Sequence, residues 1–265
     1  MVKIKVKKEQ LNIKATIECG QVFRYEKLGA DKYRVISLDK SCLLYEDKGC
    51  AVIETEHPDY FVRYFDIGTN YETIRKKLLT FNELVDAVNF GQGLRILRQD
   101  LYETVISFIV SANNNIARIK KIIERLCQKY GENKGDYYAF PTLEQLKTAT
   151  VDELTAIGLG YRAKYIYDSV RRYESVEKEL RDNVQNAKQI LLKLQGVGEK
   201  VANCITLFGL YQTDSYPVDT WIFRSCRNEV LNTKKKVYDY YTTRYGKESG
   251  YAQQYIFYYT RQNKK

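Results

Sequence analysis

The stretch LQGVGEKVANCI, Leu194 to Ile205, decides how this chain is read. Helical patterns flank it, NAKQILLK before and VANCITLFGL after. Gly196 and Gly198 stand one residue apart. Glycine accepts φ > 0 and close backbone approach, so G-V-G predicts a tight turn between two antiparallel helices. The second helix begins at once. Its first N–H groups have no partner inside the helix and point into the turn, which makes Gly196, Val197 and Gly198 a candidate phosphate-binding site. Lys200 falls in the first turn of that helix. The macrodipole is positive there and disfavours a cation, and an uncharged lysine amine is a nucleophile that can form a Schiff base. The motif alone leaves two roles open for Lys200, phosphate contact and nucleophile.

Helical periodicity extends outward from this turn. LYETVISFIV puts Leu101, Val105, Phe108 and Ile109 on one face, and IARIKKIIERLCQKY does the same for Ile116, Ile119, Ile123, Leu126 and Tyr130. Two further helices are split by a glycine turn at Gly158 and Gly160. YPVDTWIFR begins another, with Pro217 ahead of it and Asp219 placed to cap it. GYAQQYIFYYTR is aromatic and helix-compatible. Thr69 followed by Glu72 reads as a capping box where the helices begin. Before that point the period is two. VKIKVKK, LNIKATIECG, YRVISLD, SCLLYED and CAVIET read as strands of a meander, with Gly20 at a strand end as a bulge. The expected class is α+β. An antiparallel β-rich N-terminal domain, residues 1–92, precedes an all-helical body, residues 93–265, whose last helix packs back near the N-terminal domain.

Composition narrows the chemistry. The chain has 265 residues, 44% apolar and 29% charged, enough to bury a substantial core. No apolar run reaches membrane-spanning length, and MVKIKVKKEQ lacks an apolar signal core, so a cytoplasmic location with no membrane association is expected. The net charge of +10 favours polyanionic partners such as DNA, RNA or an anionic surface. The single histidine, His57 before Pro58, reads as a surface turn residue. It excludes any site with two histidine ligands and leaves little room for a serine–histidine triad. The six cysteines form no C-x-x-C. They read as reduced thiols, and their spacing suits neither a zinc ribbon nor an iron–sulfur loop.

Five blocks taken together carry a family resemblance. They are CGQVFRY (19–25), LRILRQDLYETVISFIVSANNNIARI (94–119), IGLGYRAKY (157–165), the glycine turn through PVD (194–219) and GYAQQYIF (250–257). In this order, and over nearly the whole chain, they resemble the 8-oxoguanine DNA glycosylase/AP lyase family of the helix-hairpin-helix glycosylase superfamily. SANNNIAR and GLGYRA point to the family, whereas the hairpin and its aspartate identify only the superfamily.

The resemblance implies a role for each matching residue. Lys200 matches the nucleophile that attacks C1′, expels the base and leaves a Schiff base from which the strand breaks by β-elimination. Asp219 matches the essential carboxylate, which stabilises positive charge developing on the sugar. Asn113 fills the space left by the flipped base, Arg118 and Arg162 read the orphaned cytosine, and Tyr161 is the wedge. The Gly20 carbonyl accepts from N7–H, a proton that 8-oxoguanine has and guanine lacks. Gln253 reads the Watson–Crick edge, with Cys204 and Phe257 on either side of the base. The implied partner is double-stranded DNA carrying 8-oxoguanine opposite cytosine, bound by a monomer, in the nucleoid if the source is bacterial. No cofactor, catalytic metal or iron–sulfur cluster is implied, although such hairpins can hold a cation through backbone carbonyls. Trp221 departs from the pattern, because relatives often carry a phosphate-contacting histidine there. Two competing readings use the same scaffold: a glycosylase for another base, against which Gly20 and Gln253 argue, and a non-catalytic DNA-binding protein, against which Lys200 and Asp219 argue.

Overall fold

The computed structural model describes residues 1–263. Its N-terminal strands are β1 (Val2–Lys7), β2 (Tyr25–Lys27), β3 (Tyr33–Ser37), β4 (Lys40–Asp47) and β5 (Cys50–Thr55). They form one five-stranded sheet in the order β1-β5-β4-β3-β2, antiparallel throughout. The tight β4–β5 turn places Lys48 at φ 48° and Gly49 at φ 78°, the paired positive φ values of a two-residue hairpin turn whose twist suits the flanking strands. The sheet buries Val6, Tyr33, Val35, Cys42, Leu44, Ala51 and Ile53 in a core shared with Phe61, Tyr64 and Phe65. Those aromatics belong to α2 (Pro58–Tyr64) and its end, just after the exposed His57.

Three expectations for this region are corrected. LNIKATIECG is not a strand: Ile13–Ile17 form the short helix α1, capped by the Asn12 side chain, which accepts from the Ala15 N–H at 3.0 Å. Ile13, Ala15, Thr16 and Ile17 are all buried, and a segment this short with nearly every side chain inside carries no usable period. Gly20 is therefore no strand bulge. It sits in the turn after α1 at φ +83°. The cap of α3 (Tyr71–Leu78) is Asn70, whose side chain accepts from the N–H groups of Glu72 and Thr73, whereas the Thr69 hydroxyl donates to Asp66.

The helical body continues with α4 (Val85–Phe90), α5 (Leu101–Ser111), α6 (Ile116–Tyr130), α7 (Leu143–Lys147), α8 (Val151–Leu154), α9 (Arg162–Asp182), α10 (Ala187–Leu191), α11 (Glu199–Phe208), α12 (Thr220–Cys226), α13 (Lys234–Tyr245) and α14 (Ser249–Asn263). At the centre lies α5, buried from Tyr102 to Ser111 because α6, α9 and α11 all pack on it. The single apolar face expected there is thus a helix enclosed on every side. The last helix, α14, returns to pack on α4 and α12.

Buried polar links fasten the sheet to the helices. The Arg24 guanidinium donates to the backbone carbonyls of Leu38 and Tyr138 and faces Glu103 of α5 at 3.5 Å. Glu103 accepts from the Leu38 N–H at 2.7 Å. Burial raises its carboxyl pKa, and the nearby Arg24 charge offsets part of that rise. The fully buried Gln21 donates to the carbonyls of Thr16 and Arg95 and accepts from the Leu97 N–H, which fixes the backbone on either side of Gly20.

Candidate active site

The G-V-G turn forms as the sequence predicts, and its two glycines do different work. Gly196 has φ +80°, and a Cβ there would lie 2.5 Å from Cδ2 of Tyr165. Gly198 caps α11 in extended backbone, φ −93° and ψ −179°, without a side-chain cap bond. A Cβ on Gly198 would meet nothing within 4 Å, so this side of the turn is open to a ligand. Val197 differs from both. Its side chain is buried and its N–H donates to the Leu194 carbonyl at 3.2 Å, so its amide closes the turn. The donors left for a phosphate are those at Gly198 and in the first turn of α11.

Lys200 stands in that first turn, with Nζ 5.2 Å from the centre of the Phe108 ring. One turn on, Cys204 is fully enclosed. Burial raises its thiol pKa, and the neighbouring Lys200 pulls it back down. Asp219 follows the buried Pro217 and Val218 and caps α12, one carboxylate oxygen accepting from the Ile222 N–H at 2.8 Å. That bond fixes the side chain and leaves the second oxygen for other work.

Lys200 and Asp219 border a cleft with about 320 Å³ of free space, also lined by Cys19, Gly20, Phe108, Cys204, Phe208, Pro217, Gln253, Gln254 and Phe257. About 40 Å³ of it is open to a water-sized guest, so the slot is narrow. Phe257 lies over Gly20, where an added Cβ would come within 3.1 Å of its ring. Gly20, Lys200, Cys204, Asp219, Gln253 and Phe257 therefore meet around one space. A roomier cleft of about 1120 Å³ beside Tyr25 and Lys120 includes neither Lys200 nor Asp219. The Lys200 amine, the Asp219 carboxylate and a space bordered by Cys204 and Phe257 coincide only in the smaller of these two.

Sequence reasoning missed Cys19, Phe108, Phe208, Pro217 and Gln254 as lining residues. Phe108 and Phe208 stack with ring centres 5.5 Å apart. Phe208 follows Lys200 and Cys204 at helical spacing, a signal that was available. Phe108 read only as core.

A second group gathers at the rim between the α5–α6 turn and the Gly158–Gly160 turn. Asn113 takes a left-handed φ of 48°, and the Asn115 side chain caps α6 by accepting from the Arg118 N–H at 2.9 Å. The asparagine run thus opens the following helix as well as ending α5. Tyr161 is 54% exposed, and Arg118 is exposed with a long contact of 3.4 Å to the Gly158 carbonyl. Arg162 is only 3% exposed. Its Nε donates to the Ala112 carbonyl and its Nη2 to the Asn113 carbonyl, each at 2.8 Å. The guanidinium thereby holds the Asn113 loop and retains Nη1 as its remaining donor pair. Trp221, the only tryptophan, is 40% exposed two residues beyond Asp219.

Among the described residues, no cluster of three or more His, Cys, Asp or Glu side chains could hold a metal ion, and no helix is long and apolar enough to cross a membrane.

Comparison with known proteins gives the chain a family. Residues 3–105 match the 8-oxoguanine DNA glycosylase N-terminal domain family. Residues 106–244 match the HhH-GPD superfamily of base excision DNA repair proteins. The N-glycosylase/DNA lyase OGG1 of Arabidopsis thaliana is 31% identical over 96% of this chain and 78% of its own length. The N-glycosylase/DNA lyase of Saccharomyces cerevisiae is 28% identical over 86% of this chain and 70% of its own length. Among solved structures, the Clostridium acetobutylicum 8-oxoguanine glycosylase/lyase, in complex with double-stranded DNA containing cytosine opposite 8-oxoguanine, superposes with a TM-score of 0.90. It is 35% identical over 99% of this chain and 98% of the other.

Proposed function

The chain belongs to the 8-oxoguanine DNA glycosylase family of HhH-GPD base excision repair proteins, and from that premise we propose that it removes 8-oxoguanine from duplex DNA by lysine Schiff-base chemistry at Lys200. It is a bifunctional N-glycosylase/DNA lyase. The observation that carries the mechanism is that Lys200 and Asp219 line one cleft together with the stacked rings of Phe108 and Phe208.

The hairpin binds a backbone phosphate through the open N–H groups of α11, which sets the strand across the cleft without reading sequence. The target nucleotide leaves the stack. Its base slides between Cys204 and Phe257, where the Gly20 carbonyl accepts from N7–H and Gln253 meets the Watson–Crick edge. Guanine has no N7–H, so the same carbonyl would face a lone pair and be left unsatisfied, a large penalty in a buried site. The free oxygen of Asp219 stabilises positive charge as the bond from C1′ to N9 lengthens. Lys200 Nζ forms a bond to C1′, the base departs with the electron pair of the glycosidic bond, and the amine gives up a proton. The sugar ring opens to a C1′ imine. Loss of a C2′ proton then expels the 3′ phosphate and cuts the strand, and water releases the enzyme.

On the opposite strand, Asn113 takes the vacated space, with Arg118 and Arg162 on the cytosine and Tyr161 as wedge. Arginine donors suit cytosine O2 and N3, so excision favours lesions opposite cytosine. The reaction needs neither a metal nor an iron–sulfur cluster, the enzyme acts as a monomer, and its substrate places it in the compartment that holds DNA. The test is strand cleavage under single turnover of duplexes carrying 8-oxoguanine opposite each of the four bases. Fastest cleavage opposite cytosine is expected. Equal rates opposite all four would remove the role given to Arg118 and Arg162.

A further inference from the structure

The pocket contains one polar group to which the mechanism above gives no task. Gln254 follows Gln253 on α14 and is just as buried, each 3% exposed. Consecutive residues on a helix point about 100° apart, yet both side chains line the cleft with Lys200 and Asp219. They are coupled: Gln254 Nε2 donates to Gln253 Oε1 at 2.7 Å. The other end of the same amide, Gln254 Oε1, is buried without a hydrogen-bond partner. Buried acceptors are nearly always satisfied, so an open one beside a ligand cleft marks a bond that the guest completes.

We propose that Gln254 is a second base-reading residue, which locks the Gln253 amide in one orientation and offers its own Oε1 to an N–H of the extruded purine. The proposal rests on the reading of this cleft as a nucleobase pocket. A lone glutamine amide can turn over and exchange its donor and acceptor ends. Gln253 by itself would therefore satisfy a 6-oxopurine edge and a 6-aminopurine edge about equally well. In the orientation the structure shows, the Gln253 oxygen is held by Gln254, so its free end is the Nε2 donor and the adjacent free end of the pair is the Gln254 acceptor. The coupling means that the sense reverses only if both amides turn over together. A donor beside an acceptor matches O6 beside N1–H of 8-oxoguanine. It opposes the amino group beside bare N1 of 8-oxoadenine. The pair thus reads the Watson–Crick edge while the Gly20 carbonyl reads N7–H, and both decisions fall on the same flipped base.

The test uses the near-isosteric variant Gln254→Leu, which removes both ends of the amide. Three single-turnover rates are compared with those of the unaltered protein: excision of 8-oxoguanine opposite cytosine, excision of 8-oxoadenine opposite cytosine, and strand cleavage at a preformed abasic site. An abasic site presents no base, so its cleavage reports folding, DNA binding and Lys200 chemistry without pocket reading. The expected result is 8-oxoguanine excision slower by about 10- to 100-fold, a narrowed preference over 8-oxoadenine, and abasic cleavage unchanged. Unchanged 8-oxoguanine excision overturns the proposal. So does an equal loss on all three substrates, which marks Gln254 as a packing residue. If the unaltered protein cleaves abasic DNA but releases neither oxidised purine, the base assignment itself falls and this proposal falls with it.

Discussion

At the scale of single residues, Asp219 carries two loads that substitution can separate. Its carboxylate caps α12 through the Ile222 N–H, and the same residue lines the cleft with one oxygen not used by the cap. Asparagine caps a helix about as well as aspartate, whereas alanine costs roughly 1 kcal/mol. Asp219→Asn is therefore expected to keep the melting temperature and lose about 100- to 1,000-fold in base excision, the usual scale for removing one electrostatic stabiliser. Asp219→Ala is expected to lose both. Thermal melting alongside single-turnover rates checks the separation, and an Asp219→Asn variant of near-normal rate would reduce the residue to its cap. Local physics marks Lys200 as a cation at the wrong end of a helix and Asp219 as a cap behind a proline, whereas the catalytic roles proposed for them come from the resemblance across the five sequence blocks. Phe108 and Gln254 were not legible in the sequence. Nothing in a one-dimensional pattern separates a buried ring that floors a pocket from a buried ring in a core, and Gln254 lies about 100° away from Gln253 on an ideal helix.

At the scale of elements, the hairpin holds two glycines whose replacement should have opposite consequences. Gly196→Ala forces a Cβ against Tyr165 at 2.5 Å in a left-handed backbone. It is expected to lower the melting temperature by several degrees. Gly198→Ala has open space and an ordinary φ, so the fold should tolerate it, but the methyl stands where a phosphate approaches. Its expected effect is weaker DNA binding at an unchanged melting temperature. Trp221, 40% exposed two residues beyond Asp219, allows both to be followed by fluorescence titration with duplex DNA. If Gly198→Ala binds DNA normally, the phosphate does not sit at the turn. The hairpin was readable because glycine requirements are local. The short helix α1 was not, since five mostly buried residues satisfy a period of two as easily as a helix. The Asn70 cap was hidden because two adjacent capping residues, Thr69 and Asn70, compete, and the Thr69 hydroxyl is drawn to Asp66 three residues back, which Arg98 holds from outside the segment.

At the scale of the molecule, the pocket exists only because Gly20, from the segment before β2, is held against α14 and α11 by buried links between sheet and helices. Arg24 and Glu103 form one such link. Arg24→Met leaves Glu103 buried without its cation and is expected to destabilise the fold by about 3–5 kcal/mol near neutral pH. The pH dependence has a definite sign. The folded state already raises the Glu103 carboxyl pKa, so the folded chain holds that proton more tightly than the unfolded one, and acidification favours folding at this site. Without Arg24 the rise is larger, so the deficit is expected to shrink between about pH 8 and about pH 5. Denaturant melts of both proteins across that range check it, and a deficit that grows toward acid would contradict the pairing. The α+β division was legible from the change of period, and the +10 charge fitted a polyanionic partner. The meander forms over β2 to β5, but the place of β1 was not legible, because pairing it with β5 joins the ends of the β-region across more than forty residues. Periodicity along a chain carries no information about which distant strands meet.

The central claim is that the Lys200 amine bonds to C1′ of the damaged nucleotide. Borohydride reduction during reaction with a duplex containing 8-oxoguanine opposite cytosine tests it directly, with peptide mapping of the product. A covalent protein–DNA adduct carried on Lys200 is expected, and Lys200→Gln should form none while still binding the duplex. An adduct mapped to another residue, or its persistence in Lys200→Gln, would contradict the account.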